Sequence, residues 1–320
     1  MCGHCGCGHA AKATILDLQT GNQTVMVHGP VEPARDGAHE HAHADSSRHS
    51  HGHGHDHGHD HHHGHGHGHE HGDGSHHHHD PGHLHRDGGS TVVELEARIL
   101  AKNDALAARN RGWFAGREIL ALNLVSSPGA GKTTLLERSI RDLGAELRLF
   151  VVEGDQATAN DGARIRAAGA PVVQVNTGTG CHLEADMVAR GLRELKPEPG
   201  SVVMIENVGN LVCPAMFDLG EWAKVVILSV TEGDDKPLKY PHMFRAAGLM
   251  IINKIDLLPY VEFDVEQAAA AARQINPGIT IVRLSARTGE GLEAWYRWLR
   301  RELASARETV LGVQRGPSSD

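Results

Sequence analysis

From about residue 119 onward the chain repeats one pattern: a short apolar run, a polar turn, then apolar positions at helical spacing. The runs fall at 119–125, 147–152, 172–175, 202–205, 225–230, 249–252 and 279–282. Each is continuous rather than alternating, which is how strands buried on both faces read. Helical segments separate most of them, 133–143 and 157–167 among the clearest. The pattern predicts an α/β fold: a mainly parallel sheet of about seven strands, covered by helices on both faces. Upstream, Val92, Val93, Leu95, Ile99, Leu100 and Leu106 recur at helical spacing and predict a helix that Gly112 closes. Downstream, 291–303 reads as the last helix, with Trp295 and Trp298 on its inner side and a frayed tail after Arg307.

The region before residue 90 offers no such pattern. Residues 13–27 are a short, β-prone stretch, and 39–85 hold 22 of the chain's 27 histidines, mostly alternating with Gly and Asp. With almost no apolar side chains to set against its ordering entropy, this tract reads as disordered. The expected organisation is an N-terminal cysteine segment (1–38), the histidine tract (39–88), a folded domain (89–305) and a flexible tail (306–320).

The tract carries chemistry of its own. His51, His53, His55, His57, His59, His61, His63, His65, His67 and His69 place a ring at every second position. Neutral imidazole is a good borderline donor, and glycine leaves the backbone free to wrap an ion, so several divalent cations can be held at once. Cobalt, nickel, copper and zinc all fit. The plainer reading is a purification tag or a solvated linker, but a tag is usually a pure terminal run, and this stretch is internal and interleaved.

The net charge of −9 lies mostly in the same region, where residues 1–90 carry 4 basic and 11 acidic side chains. No basic patch points to nucleic acid. No apolar run reaches the roughly 18 residues of a membrane span, and the N-terminus lacks the apolar core of a secretory signal, so a cytoplasmic location is expected. Five cysteines, three of them among the first seven residues, read as reduced thiols with metal or redox duty.

Ser126-Ser-Pro-Gly-Ala-Gly-Lys-Thr133 follows the first strand and opens a helix, the position of a phosphate loop. The backbone N–H groups of Pro128-flanked Gly129, Ala130 and Gly131 would cradle a phosphate at a helix N-terminus. Lys132 would reach the β- and γ-phosphates, Thr133 would ligate Mg²⁺, and Thr134 continues the loop into the helix. The usual pattern has Gly where this chain has Ser126.

Asn253-Lys-Ile-Asp256 ends a later strand. A carboxylate there accepts two N–H groups of a guanine edge, and adenine offers no such pair, so Asp256 selects GTP over ATP. Asn253 and Lys254 would support the loop, and Ser285 and Ala286 supply small residues around guanine O6. Between these motifs, Asp155 ends the second strand, placed to meet Mg²⁺ or the attacking water, or else to cap the next helix. Glu206-Asn-Val-Gly209 corresponds to a D-x-x-G switch with Glu in place of Asp, and Gly209 would offer its N–H to the γ-phosphate. No obvious catalytic glutamine or arginine finger appears, which implies slow, switch-like hydrolysis.

Cys181-His182 is read as opening a helix, where a thiol pKa falls, and Cys213 lies four residues beyond Gly209. The three make an S/N set suited to zinc or nickel with an open position, or else two buried cysteines and a polar histidine. Cys2, Cys5 and Cys7 form a compact soft site that fits nickel or zinc better than a redox dithiol, which would open a helix inside a folded unit.

These motifs, together with Val152-Glu-Gly-Asp-Gln-Ala-Thr-Ala-Asn160, Gln174-Val-Asn-Thr-Gly-Thr-Gly-Cys-His182, Glu206-Asn-Val-Gly-Asn-Leu-Val-Cys-Pro214 and Thr231-Glu-Gly-Asp-Asp-Lys-Pro-Leu-Lys-Tyr-Pro241, resemble those of the HypB family, the hydrogenase nickel-incorporation GTPases of the SIMIBI class of P-loop NTPases. Ser at position 126 is usual in that family. The resemblance implies GTP/GDP, Mg²⁺, Ni²⁺ and Zn²⁺ as ligands, with a high-affinity nickel site at Cys2, Cys5 and Cys7. It implies a weaker nickel/zinc site at Cys181, His182 and Cys213, at or near a GTP-dependent homodimer interface. It further implies nickel delivery, with a HypA-type nickel chaperone, to the [NiFe]-hydrogenase large-subunit precursor. In such a dimer Lys236 could touch the partner's phosphate, or it is a solvated strand-end charge. A urease accessory GTPase is a nearby alternative, although its Cys-Pro-His motif is here Cys213-Pro214-Ala215. A nickel storage and detoxification protein is another.

Overall fold

The computed structural model describes residues 13–26, 88–155 and 160–314. The cysteine cap at Cys2, Cys5 and Cys7 and the histidine tract lie outside the described residues. A hairpin of β1 (Thr14–Asp17) and β2 (Gln23–Val25) comes first, then α1 (Gly88–Ala115), β3 (Leu120–Ser126), α2 (Lys132–Leu143), β4 (Leu149–Asp155), α3 (Asn160–Ala168), β5 (Val172–Asn176), α4 (Ala185–Leu195) and β6 (Val202–Glu206). The second half runs through α5 (Cys213–Met216), β7 (Ala223–Ser229), α6 (Lys236–Lys239), α7 (Pro241–Ala246), β8 (Ala247–Asn253), a 3-10 turn (Ile255–Tyr260), α8 (Val265–Ile275), β9 (Thr280–Arg283) and α9 (Leu292–Gln314).

The described strands form one nine-stranded sheet in the order β2-β1-β5-β4-β6-β3-β7-β8-β9. The pairs from β5 across to β9 are parallel, whereas β1 runs antiparallel to β5 and β2 closes that edge. The seven parallel strands read from the sequence are present, and the β-prone stretch adds two more. Ala13, Ile15 and Met26 bury against Val173 and Val175, which draws the hairpin into the folded unit although the histidine tract separates it in sequence.

Alternate residues of each strand feed opposite faces. On one, Leu120, Leu122 and Leu124 pack with α2 and α9, where Trp295 and Trp298 are buried and stacked at 5.5 Å. On the other, Val152, Val203 and Ile205 pack with Met187, Val188 and Leu192 of α4 and Phe114 of α1.

Two helix readings change. Helix α1 continues past Gly112 to Ala115, and its buried stripe is Asn103, Ala107, Asn110 and Phe114, while Leu95 and Ile99 are exposed. The asparagine amides explain that choice. Asn103 holds Asp218 O and Ala185 N, and Asn110 holds Ala185 O and Leu219 O, so α1 docks through side chain–backbone bonds as well as apolar burial. Helix α9 runs on past Arg307 to Gln314.

The chain leaves central β3 for one side of the sheet and later returns to the other, so the carboxyl ends of β3, β4 and β6 border the switch point where ligands of open α/β sheets bind.

Candidate nucleotide and metal sites

The loop between β3 and α2 is shaped by two glycines with positive φ, Gly129 (74°) and Gly131 (99°). A β carbon at Gly131 would also lie 2.6 Å from Asn253 Nδ2, so both conformation and space require glycine there. Asn253 Nδ2 donates to Ala130 O at 2.9 Å, and Asn253 Oδ1 accepts from Ala286 N at 3.1 Å and Lys254 N at 2.8 Å. Lys254 Nζ reaches Gly129 O at 2.7 Å. The side chains expected to support the loop thus bolt it to the base-side loops after β8 and β9. Ser285 is fully buried and its Oγ accepts from Thr288 N. Asp256 lies in the 3-10 turn, and its Oδ1 is buried without a hydrogen-bond partner. Such an acceptor fits the paired N–H donors of a guanine edge.

A cavity of about 440 Å³ opens over the loop and brings together Pro128, Gly129, Gly131, Lys132, Thr133, Thr134, Asp155, Glu206 and Gly209. Ala130 is buried and does not line it. Lys132 Nζ donates to Ser126 Oγ at 2.9 Å, and burial pulls its pKa down while Glu206 and nearby carboxylates oppose that. Thr133 Oγ1 donates to Glu206 Oε1 at 2.8 Å, leaving Glu206 Oε2 buried and unpartnered. Burial pushes Glu206 up to about 7, opposed by Lys132 and the Thr133 bond. Hydroxyl and carboxylate oxygens with an open lone-pair site beside a phosphate cradle fit Mg²⁺. Gly209 rests on Pro128 so closely that a β carbon would lie 3.1 Å from Pro128 Cα.

Asp155 ends β4 at the rim of the cavity, and residues 156–159 that follow it lie outside the described residues. Lys236 is not a solvated charge: at the start of α6 it is half-buried, 3.2 Å from the Glu232 carboxylate and 3.2 Å from Ser127 Oγ of the phosphate loop of the same chain.

Sequence reasoning missed Glu153, Asp161 and Arg164. Glu153 is 2 % exposed and pairs in register with Glu206; burial first, then Glu206 and Asp155, raise it to about 9. A carboxyl inside an otherwise apolar strand was the available signal. Asp161 and Arg164 line the cavity from α3, with Arg164 held by Glu137 and Asp161 at 2.9 Å each; nothing in the local sequence marks them.

The three internal metal candidates converge. Cys181, His182 and Cys213 offer ligand atoms within 4.8 Å of one another, with the two sulfurs 2.9 Å apart and His182 Nδ1 3.6 Å from Cys181 Sγ. Ligand atoms of a tetrahedral zinc site stand roughly 3.5–4 Å apart, so the sulfur–imidazole spacing already fits, and the two sulfurs would move apart slightly to take a metal. Cys181 and His182 do not open a helix, because α4 begins at Ala185; Cys213 instead begins α5, ahead of Pro214. The His182 ring packs on Phe217 at 3.9 Å, its Nε2 is buried without a partner, and burial lowers its pKa to about 4. The ring is therefore neutral, the form that ligates metals.

A phosphate loop on the central parallel strand, with a guanine-type Asn-Lys-x-Asp loop pinned to it, defines a P-loop nucleotide-binding protein. Residues 120–283 match the family model described as CobW/HypB/UreG, nucleotide-binding domain. The chain is 58 % identical to "Hydrogenase maturation factor HypB" of Rhizobium leguminosarum bv. viciae over 219 residues, 68 % of this chain and 73 % of that protein. It is 58 % identical to the protein of the same name from Escherichia coli (strain K12) over 208 residues, 65 % of this chain and 72 % of that one. The crystal structure of HypB from Helicobacter pylori in complex with nickel superposes with TM-score 0.60 at 37 % identity, covering 68 % of this chain and 100 % of that one. The chain belongs to the CobW/HypB/UreG family and, within it, to the HypB hydrogenase maturation factors.

Proposed function

We propose that the protein is a slow GTPase that stores nickel and delivers it for maturation of [NiFe]-hydrogenase. The observation that carries this reading is continuity: Cys213 lies on the loop that leaves Gly209, and its sulfur meets Cys181 beside His182. A soft metal site and a phosphate-sensing glycine therefore share one segment. The nickel-bound relative and the maturation factors of known name support nickel as the cargo.

In this reading GTP is the substrate. Asp256 selects guanine, Asn253, Lys254, Ser285 and Ala286 frame the base, and the Gly129–Gly131 backbone with Lys132 holds the phosphates. Thr133, Glu206 and Asp155 hold Mg²⁺, which supplies charge neutralisation on the phosphate oxygens. Gly209 N–H senses the γ-phosphate. Binding of GTP favours a homodimer, and loss of the γ-phosphate disturbs the Cys181/His182/Cys213 site, passing nickel or zinc onward. Cys2, Cys5 and Cys7 form a tighter nickel site, and the histidine tract is the reserve. A HypA-type chaperone and the hydrogenase large-subunit precursor are the partners, in the cytoplasm; no described helix is long and apolar enough to cross a membrane.

The test is nickel titration of the full chain with GDP and with a non-hydrolysable GTP analogue, reading oligomeric state alongside. A dimer fraction that rises with the analogue supports the switch. Equal dimer fraction and equal metal affinity in both states sink it, as does GTP hydrolysis unchanged by Lys132→Ala.

A further inference from the structure

The inference rests on that functional reading and names the residue that carries the coupling. Two routes connect Gly209 to the metal trio. One runs along the chain to Cys213 through Val212, which is 46 % exposed. The other is Asn207, which follows Glu206 directly and is 1 % exposed.

Asn207 Oδ1 accepts two backbone N–H groups at once, Val208 N at 3.0 Å and Leu183 N at 3.1 Å. Val208 precedes Gly209 and lines the phosphate cavity, and Leu183 follows the ligand His182. The amide is fixed from its other end: Asn207 Nδ2 donates to Asn123 Oδ1 at 3.2 Å, and Asn123 Nδ2 donates to Glu221 Oε1 at 3.1 Å. Glu221 is in turn tied to Lys224 and to Leu219 N. Rotating the Asn207 amide breaks all of its bonds, so its oxygen is a fixed point.

Leu183 is held on a second side. Its side chain is fully buried over Gly154, where an added β carbon would stand 2.7 Å from Leu183 Cγ. Gly154 adjoins Asp155. The residue next to the metal ligands therefore touches the β4 end and the β6 end of the phosphate cavity together. A displacement of Val208–Gly209 toward a γ-phosphate changes the bond at Asn207 Oδ1, and the Leu183 N–H shares that oxygen.

We infer that Asn207 is the positioning residue that ties the metal loop to the phosphate-sensing loop, so that nucleotide state sets nickel affinity at Cys181, His182 and Cys213 through one shared side-chain oxygen. A purely structural buried asparagine would contribute equally in both nucleotide states, so the decisive quantity is the ratio between them.

The experiment uses the full chain with Cys2, Cys5 and Cys7 replaced by Ser, so that nickel–thiolate absorption reports only Cys181 and Cys213. Ni²⁺ is titrated with Mg²⁺ and either GDP or a non-hydrolysable GTP analogue. The parent shows about a 10-fold difference in affinity between the two states, within the usual range of coupling between sites. Asn207→Ala, which removes the acceptor shared by the two N–H groups, brings the ratio below about 2-fold. An Asn207→Ala chain with the parental ratio overturns the inference and leaves the functional reading standing. Equal affinity in the two states for the parent overturns the functional reading itself. Should Asn207→Ala not fold, hydrogen exchange on the unsubstituted chain decides. The Leu183 and Val208 amides change protection together when the analogue replaces GDP, and a Leu183 amide indifferent to nucleotide while Val208 responds rejects the role.

Discussion

Glu153 and Glu206 are register partners on adjacent parallel strands, both buried, with Lys132 as the shared neighbouring cation. One amine cannot compensate two desolvated carboxylates, so the nucleotide-free pair holds protons well above the usual carboxylate range. Glu153 is the more displaced, because Glu206 and Asp155 add like charge to its burial, whereas Glu206 also accepts from Thr133.

The pH dependence of stability follows from that pair. A carboxyl whose folded pKa is raised stabilises fully below its unfolded pKa and loses that contribution as pH climbs through the folded value. For Glu153 the window runs from 4.5 to about 9, and for Glu206 from 4.5 to about 7. The nucleotide-free protein therefore becomes less stable between pH 5 and 9, and Glu153→Gln, neutral throughout, flattens the trend. At pH 8 the variant should be more stable than the parent by about 1–3 kcal/mol. Thermal melts at a series of pH values check this; parallel curves for the two proteins reject it.

Asp256 sets nucleotide choice. Asp256→Asn turns one acceptor oxygen into a donor facing the guanine N–H groups, and removes a charge from the pair. Losing about 3 kcal/mol of charge-assisted hydrogen bonding weakens GTP binding by about 100-fold. Xanthosine triphosphate, which presents a carbonyl where guanine has its amino group, should gain affinity in the same variant. Competition binding with both nucleotides measures this, and a variant that discriminates as the parent does removes Asp256 from the base site.

The parallel sheet and the phosphate loop were legible because their signals are local. Strands β3 to β8 are mainly apolar runs, and Gly131-Lys132-Thr133 and Asn253-Lys254-Ile255-Asp256 fix their chemistry within four residues. What escaped depends on distant partners. The inner face of α1 was misread because Asn103 and Asn110 bury against backbone of Ala185, Asp218 and Leu219, far away in sequence. The β-prone character of 13–27 was legible, but not its place, because the four residues of β1 pair with the distant edge strand β5. The local sequence places Cys181 and His182 at a helix start, but Gly180 N bonds back to Thr177 O, and α4 begins only at Ala185. The convergence of the three metal candidates was legible only as a guess from position, since 32 residues separate the two cysteines.

Gly154 is the position where the metal loop can be disturbed without touching a ligand. An alanine there would bring a β carbon within 2.7–2.9 Å of three carbons of the fully buried Leu183. Gly154→Ala should cost about 1–3 kcal/mol of stability, the usual price of overpacking a core. It should also weaken nickel binding at Cys181, His182 and Cys213. The Gly154→Ala, Leu183→Ala double variant removes the clash and should recover part of the loss, so the two substitutions are non-additive. Denaturant melts of the four proteins test the cycle, and simple additivity refutes the contact.

The last prediction separates store from switch. Residues 39–85 lie in sequence between the strand pair β1–β2 and α1 and hold 22 histidines. Deleting them should lower the number of Ni²⁺ ions bound per chain several-fold, because imidazole donors at this density account for most of the soft-to-borderline ligands available. GTP turnover should be unchanged, since every residue framing the phosphate cavity lies after residue 127. In cells, hydrogenase maturation should survive at ample nickel and fail only when nickel is scarce. The measurement is hydrogenase activity across a nickel series in a strain carrying the deletion. Failure at every nickel concentration would make storage the central role and the nucleotide domain subordinate to it.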